Sequence, residues 1–355
     1  LKNKNLSLQT ISSKKENIKN HKIFKFNKKD RIKYYMKKNF FIFFFKILQI
    51  KLLNLKTYCL AEINVIKNLD LELYDYIFVF DLKFLYAVSQ TTNKKNIIWD
   101  AREYYPEHFN QLLLWRFIHK EIIKKLIRLS IKKVMIGITV SQGLKKKYYE
   151  NFKIKLKVKL SVPIYKKLKF RPVSKKISII HHGLCSETRK IENFFELGKK
   201  LGVNYDVFLM LKIVNNKYYE YLKKKYSNVR NVKFLRPVEL KEITKKINFF
   251  DIGLIIGLNT SVNHFYSMPN KLFEYIQAGL CVISNPLHDV KRFVKQNKVG
   301  YVSSSFKIDD ISDLIKSLTF KDITKAKKNS IKKAKKFNHK ILFRDLDKTL
   351  SRIFK

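Results

Sequence analysis

A lysine and a glutamate stand three residues apart where a short helix is predicted to begin. Lys271 and Glu274 follow Pro269, which suits the first helical position, and Gly279 suits the left-handed residue after the helix end. The spacing puts both charges on one helix face near its positive N-terminus. Backbone N–H groups and Lys271 can meet phosphate there, and Glu274 can accept from ribose hydroxyls. The pattern predicts a nucleotide site; the alternative is an ordinary αβ unit with a salt-bridged surface pair.

The motif P-N-K-x-x-E-Y-x-x-x-G at residues 269–279, followed by a short apolar strand, resembles a known donor site. It is similar to the nucleotide-sugar site of GT-B glycosyltransferases, in particular the large retaining family 4, also called group 1. The resemblance implies an α/β fold with two Rossmann-like domains whose parallel sheets face a central cleft. It also implies transfer of a sugar from a nucleotide-diphosphate donor, without a metal and without a cofactor besides that co-substrate.

Two cations are implied to hold the diphosphate. Gly183 matches the family's glycine after the first strand of the second domain, although Leu184 stands where an arginine is usual. Arg189 takes the lysine position of the family, at the start of a predicted helix. Fixed cations stabilise charge on a leaving group, so Arg189 and Lys271 are expected to contact the diphosphate. The alternative for Arg189 is a surface arginine near a helix start.

The rest of the donor is assigned through the same resemblance. Glu274 matches the ribose-binding second Glu of the family's paired pattern, whose first Glu falls at Tyr266 here. The loop before the helix would approach the sugar and phosphate, and the residue after a strand at 231–235 would lie beside the base. These further donor-binding positions are Met268, Pro269, Asn270 and Arg236.

Residues 97–107 resemble the family's D-x-H-E-x-x-P-E segment in the first domain. Arg102 stands where that family has a histidine, and Glu103 follows it. Because an arginine cannot act as a base near neutral pH, Arg102 is expected to pair with Glu103 or to steady an anionic sugar or phosphate. A purely structural ion pair is the alternative. A retaining front-face mechanism does not require an enzyme base, since the leaving phosphate can take the acceptor proton.

Strands and helices alternate along the chain, which predicts βαβ units and parallel sheets. Strand-length apolar runs lie at 76–81, 96–100, 134–141, 177–183, 205–211, 231–235, 251–256 and 280–284. Helical patterns lie at 82–89, 112–131, 188–201, 215–226, 238–248, 269–279 and 323–354.

A basic, proline-marked segment at 163–176 is interpreted as the linker between domains. We therefore expect an N-terminal acceptor-side domain at 1–165 and a nucleotide-sugar-binding domain at 177–335. By resemblance, a C-terminal helix at 336–355 would pack back toward the first domain. The strand and glycine-bearing loop that usually open the family are not recognisable in residues 1–33, so this domain is degenerate or incomplete at its start.

The formal net charge is +48, from 76 Lys and Arg against 28 Asp and Glu. Coding bias is one explanation, because Lys, Asn, Ile, Phe and Tyr are abundant and the cations are spread along the chain. Attraction to an anionic membrane surface is the other. Nucleic acid is disfavoured as a partner, because no helix-turn-helix, zinc-finger or aromatic RNA-binding signature is present. We expect a glycan or lipid-linked acceptor of the cell envelope, and a cytoplasmic protein peripheral at the inner face of the membrane.

The remaining features narrow the class of protein. The apolar run at 40–45 is far shorter than the ~20 residues that span a bilayer, and a core helix is favoured over an interfacial anchor. Cys59, Cys185 and Cys281 have no metal spacing and are interpreted as buried thiols of a reducing compartment. Two rivals stay open: a GT-B nucleotide-sugar epimerase, and a degenerate non-catalytic GT-B protein that binds a partner or an anionic membrane.

Overall fold

The computed structural model describes residues 10–12, 21–23, 55–108, 116, 119–342 and 344. The chain divides into two compact units. The first contains the chain up to Thr139 together with Lys145–Val158, and the second contains Val140–Leu144 and Lys159–Lys355. Each unit is built on a parallel sheet, as the alternating sequence pattern predicts.

The first unit carries a four-stranded parallel sheet. In chain order, the described helices and strands up to residue 158 are β1 Thr10–Ser12, β2 His21–Ile23, α1 Leu55–Tyr58, α2 Leu60–Lys67, β3 Ile77–Val79, α3 Leu82–Thr91, β4 Ile97–Asp100, α4 Lys120–Ser130, β5 Val134–Thr139, α5 Gln142–Phe152 and β6 Lys157–Val158. Strands β3, β4, β5 and β6 lie side by side in that order, and β1 pairs with β2 separately. The centre of β4 is fully buried, because helices flank parallel strands on both faces.

The second unit carries a six-stranded parallel sheet. Its helices and strands are β7 Ile177–Cys185, α6 Glu192–Leu201, β8 Tyr205–Ile213, α7 Asn216–Lys225, β9 Val232–Leu235, α8 Ile243–Ile247, β10 Ile252–Ile255, α9 Val262–Tyr266, α10 Asn270–Gln277, β11 Cys281–Ser284, α11 His288–Asn297, β12 Gly300–Val302, α12 Ile308–Ser317 and α13 Phe320–Ala334. The spatial order is β9-β8-β7-β10-β11-β12, so the chain winds outward from β7 and then outward again from β10. Such doubly wound sheets bind ligands at the switch point, here between the carboxyl ends of β7 and β10.

Two apolar layers hold this sheet between its helices. Alternation along β7 points Ile179 into one layer, with side chains of α6, α7 and α12, and Ile180 into the other, with side chains of α8, α10 and α11. Nearly continuous apolar strands are required when both faces are covered. This explains why the strand predictions at 177–183, 205–211, 251–256 and 280–284 match observed strands so closely.

Two helix predictions need correction. The helix predicted at 188–201 begins at Glu192, and Arg189 lies in a separate 3-10 turn, Glu187–Arg189. Lys190 has a left-handed backbone (φ 49°) and separates the two, because a helix cannot run through that conformation. The helix predicted at 323–354 runs from Phe320 to Ala334, and a turn at 335–338 interrupts it.

Some predictions fall on residues outside the described ranges. The described part of the helix predicted at 112–131 is α4, and residues 111–115 and 117–118 lie outside. The apolar run at 40–45 and most of the predicted C-terminal helix at 336–355 lie outside as well. No helix among the described residues is long and apolar enough to cross a membrane. The three cysteines are buried free thiols, as predicted.

Candidate functional site

The backbone pairing between β7 and β10 ends before the carboxyl end of β7, and the candidate site lies just beyond that point. β7 pairs with β8 along all nine of its residues, but with β10 only at Ile179 and Ile180. Just beyond that point, Nδ1 of the buried His181 lies 3.0 Å from the Leu254 carbonyl of β10. A carbonyl can only accept, so Nδ1 carries the proton and Nε2 is left as an acceptor. The His181 side chain therefore links the two strands by a hydrogen bond beyond the end of their backbone pairing. Its other ring nitrogen, Nε2, can accept a hydrogen bond from a donor.

Lys271 supplies that donor. It lies in the first turn of α10, and its Nζ is 3.4 Å from Nε2 of His181. Gly183 follows two residues later on β7, and a Cβ at this glycine would lie 3.3 Å from the same Nζ. The structure thus brings Lys271 and Gly183 together and adds His181 to them.

The pKa of Lys271 in this cluster is unusual for a lysine. The pKa of Lys271 is lowered to about 7, first by burial and then by the positive charge of Arg189, while the Glu274 carboxylate acts in the opposite direction. The residue as a whole is half-buried, whereas its amine is surrounded by protein atoms. Burial, and then Lys271, hold the pKa of His181 well below its ordinary value, which keeps this imidazole neutral. An anion that entered the cluster would restore the proton on Lys271.

Arg189 is brought to the same cluster from the other side. It lies in the exposed 3-10 turn after β7, and its charge reaches both His181 and Lys271. Two cations therefore act on one point at the carboxyl end of β7. Because like charges repel each other, that arrangement favours an anionic ligand there.

Glu274 lies one helical turn beyond Lys271 and beside His182. Its Oε2 is 3.2 Å from Nε2 of His182, and both side chains are largely buried, with 14% and 9% of their surface exposed. The two groups are close, but Nε2 of His182 makes no well-directed hydrogen bond. The hydroxyl of the neighbouring Tyr275 donates to the Leu254 carbonyl at 3.2 Å.

Both ends of α10 are fixed, which holds Lys271 and Glu274 in place. Pro269 is the N-cap residue, with φ −71° and ψ 142°, so the prediction that it occupies the first helical position is wrong by one residue. Gly279 adopts φ 72°, as predicted for a left-handed helix terminus. Its N–H bonds Ile276 at 3.1 Å, and that of Leu280 bonds Tyr275 at 3.0 Å, which is a Schellman motif.

The other predicted donor residues lie in different settings. Met268 is buried in the apolar layer beneath α10, so any contact it makes to a sugar goes through its backbone. Asn270 is exposed at the helix start. Arg236 is exposed after β9, the edge strand two positions from β7, roughly 10 Å away by strand spacing.

The first-unit residues lie at the carboxyl end of β4. Nε of Arg102 is 2.8 Å from Oδ2 of Asp100, and its guanidinium lies 5.0 Å from the centre of the Phe80 ring. Glu103 instead pairs with His108, with 2.9 Å between Oε2 and Nε2. The predicted pairing of Arg102 with Glu103 is therefore wrong, because residues two apart in extended chain share a side whereas neighbours point apart.

The sequence motifs did not assign His181 or His182 to the site. The structure shows that each contacts one of the two charged residues of α10. The available signal was their position, since two consecutive histidines end a buried strand directly before Gly183. Within the described ranges, no group of three or more His, Cys, Asp or Glu is arranged to hold a metal ion.

Comparison with known proteins identifies the fold. No family model matches the chain, and no curated protein matches its sequence. WaaG, a glycosyltransferase involved in lipopolysaccharide biosynthesis, is 12% identical with a TM-score of 0.59, over 94% of this chain and 87% of WaaG. The chain has the GT-B fold.

Two further GT-B structures were solved with nucleotides. The E. coli trehalose-6-phosphate structure bound with UDP-2-fluoro glucose is 9% identical, with a TM-score of 0.62, over 84% of this chain and 77% of that chain. A TarM mutant from S. aureus, in complex with fondaparinux, α-GlcNAc-glycerol and UDP, is 15% identical, with a TM-score of 0.62. That match covers 82% of this chain and 58% of TarM. Identities this low establish the GT-B fold of the chain and nothing finer.

Proposed function

We propose that this GT-B chain is a retaining glycosyltransferase of the family 4 type. It would move a sugar from a nucleotide-diphosphate donor to a cell-envelope glycan or a lipid-linked acceptor. The observation that carries the proposal is the desolvated amine of Lys271 at the switch point of the second sheet, with Glu274 one turn along the same helix. A cation followed by a carboxylate at a helix start matches a diphosphate joined to a ribose.

The charges favour the departing diphosphate. Arg189 and Lys271 repel each other, which is one cause of the lowered pKa of Lys271. A diphosphate gains negative charge as the glycosidic bond breaks, so its attraction to both cations is greatest in the transition state. His181 accepts from the Lys271 amine and so directs it before the donor arrives.

The chemistry we propose needs no enzyme base. In a front-face reaction the acceptor hydroxyl passes its proton to the leaving phosphate, and the product keeps the configuration of the donor. Arg102, exposed at the end of β4, would steady an anionic group of the sugar or acceptor, and Glu103 would hold the adjacent loop through His108. The reaction would be independent of metal, with the nucleotide sugar as co-substrate and no other cofactor.

The donor class is supported by the nucleotides bound to two GT-B neighbours, and the envelope acceptor by the role of WaaG. We extend this to location: the protein would act in the cytoplasm, peripheral at the inner face of the membrane. The base and the sugar are left to experiment.

A nucleotide panel tests the donor site directly. Thermal unfolding is followed with UDP, GDP, ADP, CMP and TDP for the wild type and for Glu274→Ala. A ligand at 100 times its Kd adds about 2.7 kcal/mol of stability. The matched control is Glu220→Ala, since Glu220 is an exposed carboxylate on α7 that pairs with Lys223 at 3.4 Å.

We expect one nucleoside diphosphate to stabilise the wild type and Glu220→Ala but not Glu274→Ala. Absence of any shift would overturn the donor site and favour a non-catalytic protein. The matching nucleotide sugar then tests transfer, and NMR of the anomeric product tests retention. Loss of activity with EDTA would contradict metal independence, and recovery of an epimerised donor would assign the epimerase instead.

A further inference from the structure

Two segments of the second unit form one continuous surface. Residues 163–172 have no regular secondary structure and run along residues 240–249, which include α8. The Asn248 amide donates to the Lys169 carbonyl at 3.1 Å, and Arg171 Nε donates to the Asn248 side chain at 3.2 Å. At the other end, the Lys166 amine lies 3.6 Å from the Glu242 carboxylate. We call the exposed side of these two segments the basic–aromatic face.

Large apolar side chains are exposed on this face. The described residues contain 17 exposed large apolar side chains, and five of them lie in these two short segments. They are Ile164, Tyr165, Phe170, Leu240 and Phe249. Leu240 and Ile164 are 84% and 72% exposed, and Phe249 is 58% exposed. Clustered apolar exposure of this kind marks a contact surface, whereas single exposed residues do not.

The same face is strongly cationic. Residues 163–172 contain four Lys or Arg and no Asp or Glu. Residues 240–249 add Lys241, Lys245 and Lys246 against the single carboxylate of Glu242. The Arg171 guanidinium lies over the Phe249 ring, 3.8 Å from its centre. Cations and apolar groups therefore alternate across the surface instead of forming separate patches.

We propose that the basic–aromatic face docks on the surface of an anionic lipid bilayer. The lysines meet the headgroup phosphates, while Ile164, Leu240 and Phe249 enter the boundary between headgroups and acyl chains. The exposed aliphatic residues favour lipid over nucleic acid, because Ile and Leu have no role in base stacking or phosphate contact. The face shares no residue with the Lys271 cluster, so it stands independently of the proposed transferase activity.

Insertion is tested with a tryptophan reporter. Phe249→Trp is mixed with phosphatidylcholine vesicles that do or do not contain phosphatidylglycerol, and its emission is followed with brominated lipid as quencher. Tyr221→Trp is the matched control, because Tyr221 is an exposed aromatic among lysines on α7. We expect a blue shift and quenching at position 249 only, and only with phosphatidylglycerol.

The cationic part is tested by vesicle co-sedimentation. Lys245→Gln with Lys246→Gln should weaken binding by roughly 25-fold, at about fivefold for each cation. Lys223→Gln with Lys224→Gln on α7 removes the same charge elsewhere and should weaken it by less than threefold. Phe249→Ser with Ile164→Ser should also weaken binding, with thermal unfolding confirming that each variant is folded.

Equal losses of vesicle binding from both double lysine variants would overturn the proposal. The attraction to the membrane would then come from the net charge of the whole chain and not from this face. Equal quenching at positions 221 and 249 would overturn it too. Salt-sensitive binding of a single-stranded RNA that depends on Phe249, together with no vesicle binding, would assign the face to nucleic acid instead. Nucleotide binding by the same variants is expected to be unchanged, which separates this result from the fate of the donor site.

Discussion

The Lys271 amine lies 3.4 Å from Nε2 of His181, an imidazole whose other nitrogen donates to the Leu254 carbonyl. Ninety residues separate the two in sequence. The contact joins the helix that carries the cation to the strand that ends at the switch point. It directs the amine at a point where Arg189 lowers and Glu274 raises the pKa of Lys271, and a phosphate there would favour the charged amine.

Binding of the nucleoside diphosphate should depend on pH through Lys271. Its pKa of about 7 in the free protein means that the amine is neutral at higher pH, while a bound diphosphate favours the charged form. Binding therefore takes up a proton above about pH 7, and affinity should fall by up to about tenfold for each pH unit above that value. Calorimetry in two buffers of different ionisation enthalpy measures the uptake.

Lys271→Met is the control for that experiment. It should bind more weakly at pH 7 and show no proton uptake from this position. The secondary ionisation of phosphate, near pH 6, is avoided by working above about pH 7.5. Proton uptake that persisted in Lys271→Met would assign the linkage to another group.

The role of His181 can be separated from that of its backbone partner. The side-chain amide of His181→Asn can still donate to Leu254, but it has no atom in the place of Nε2. Losing one hydrogen bond to a charged group costs about 1.5 kcal/mol, so we expect nucleotide affinity to fall roughly tenfold. The proton-uptake midpoint should move as well, since Lys271 loses its neighbour, and a purely structural role would leave that midpoint unchanged.

A buried ion pair in the second unit should dominate its stability. Lys327 on α13 lies 2.8 Å from Asp251, and both side chains are 1% exposed. Lys327→Met would leave a buried carboxylate without its cation, which costs about 3–5 kcal/mol. Urea unfolding measures the loss, and Lys325→Met, at an exposed position of the same helix, should change stability by less than about 0.5 kcal/mol.

The pKa of Asp251 decides whether the stability contributed by this ion pair rises or falls with pH. Burial would raise its pKa, but the Lys327 amine and the Ser178 donors outweigh burial, and the net pKa is lowered. The stabilisation by the ionised carboxylate is therefore present above its ordinary pKa and lost as the pH falls through its folded value. The difference in the free energy of unfolding between the wild type and Lys327→Met should become smaller at acid pH. A difference that stayed constant with pH would contradict this account.

Replacement of Arg102 should lower activity without lowering stability. Its ion pair with Asp100 is largely exposed on the arginine side, and exposed pairs contribute about 1 kcal/mol or less. Arg102→Ala should leave the unfolding temperature nearly unchanged. If Arg102 steadies the sugar or acceptor, kcat/KM for transfer should fall by at least about tenfold, equivalent to about 1.4 kcal/mol. An unchanged kcat/KM would show that Arg102 serves only in its structural ion pair with Asp100.

Much of the second unit could be predicted because its strands are buried on both faces. Runs such as 177–183 and 280–284 are apolar almost without interruption, and Gly279 marks the end of α10 through a left-handed conformation that glycine adopts without steric cost. The short edge strand β12 has half-buried residues and gave no such signal. The turn at 335–338 was missed because the lysine-rich helical pattern continues through it.

The side-chain contacts of the site could not be predicted in the same way. Motif spacing selected Lys271 and Glu274, which the fold does bring to the switch point. The partners His181 and His182 depend on where the β7–β10 ladder ends, and no local pattern encodes that point. The pairing of Arg102 likewise depends on the exact end of β4, which places Asp100 on its side of the chain.

The short link after α10 has a consequence for sequence change. Only Ala278, Gly279 and Leu280 connect α10 to β11, and the backbone groups of the last two are committed to the helix end. An inserted residue there would break those bonds and turn the Lys271 face away from β7. Variation in chain length should therefore be absent between Lys271 and β11 in related chains. It should accumulate instead in the more exposed stretch at 258–260, before the residue that caps α9.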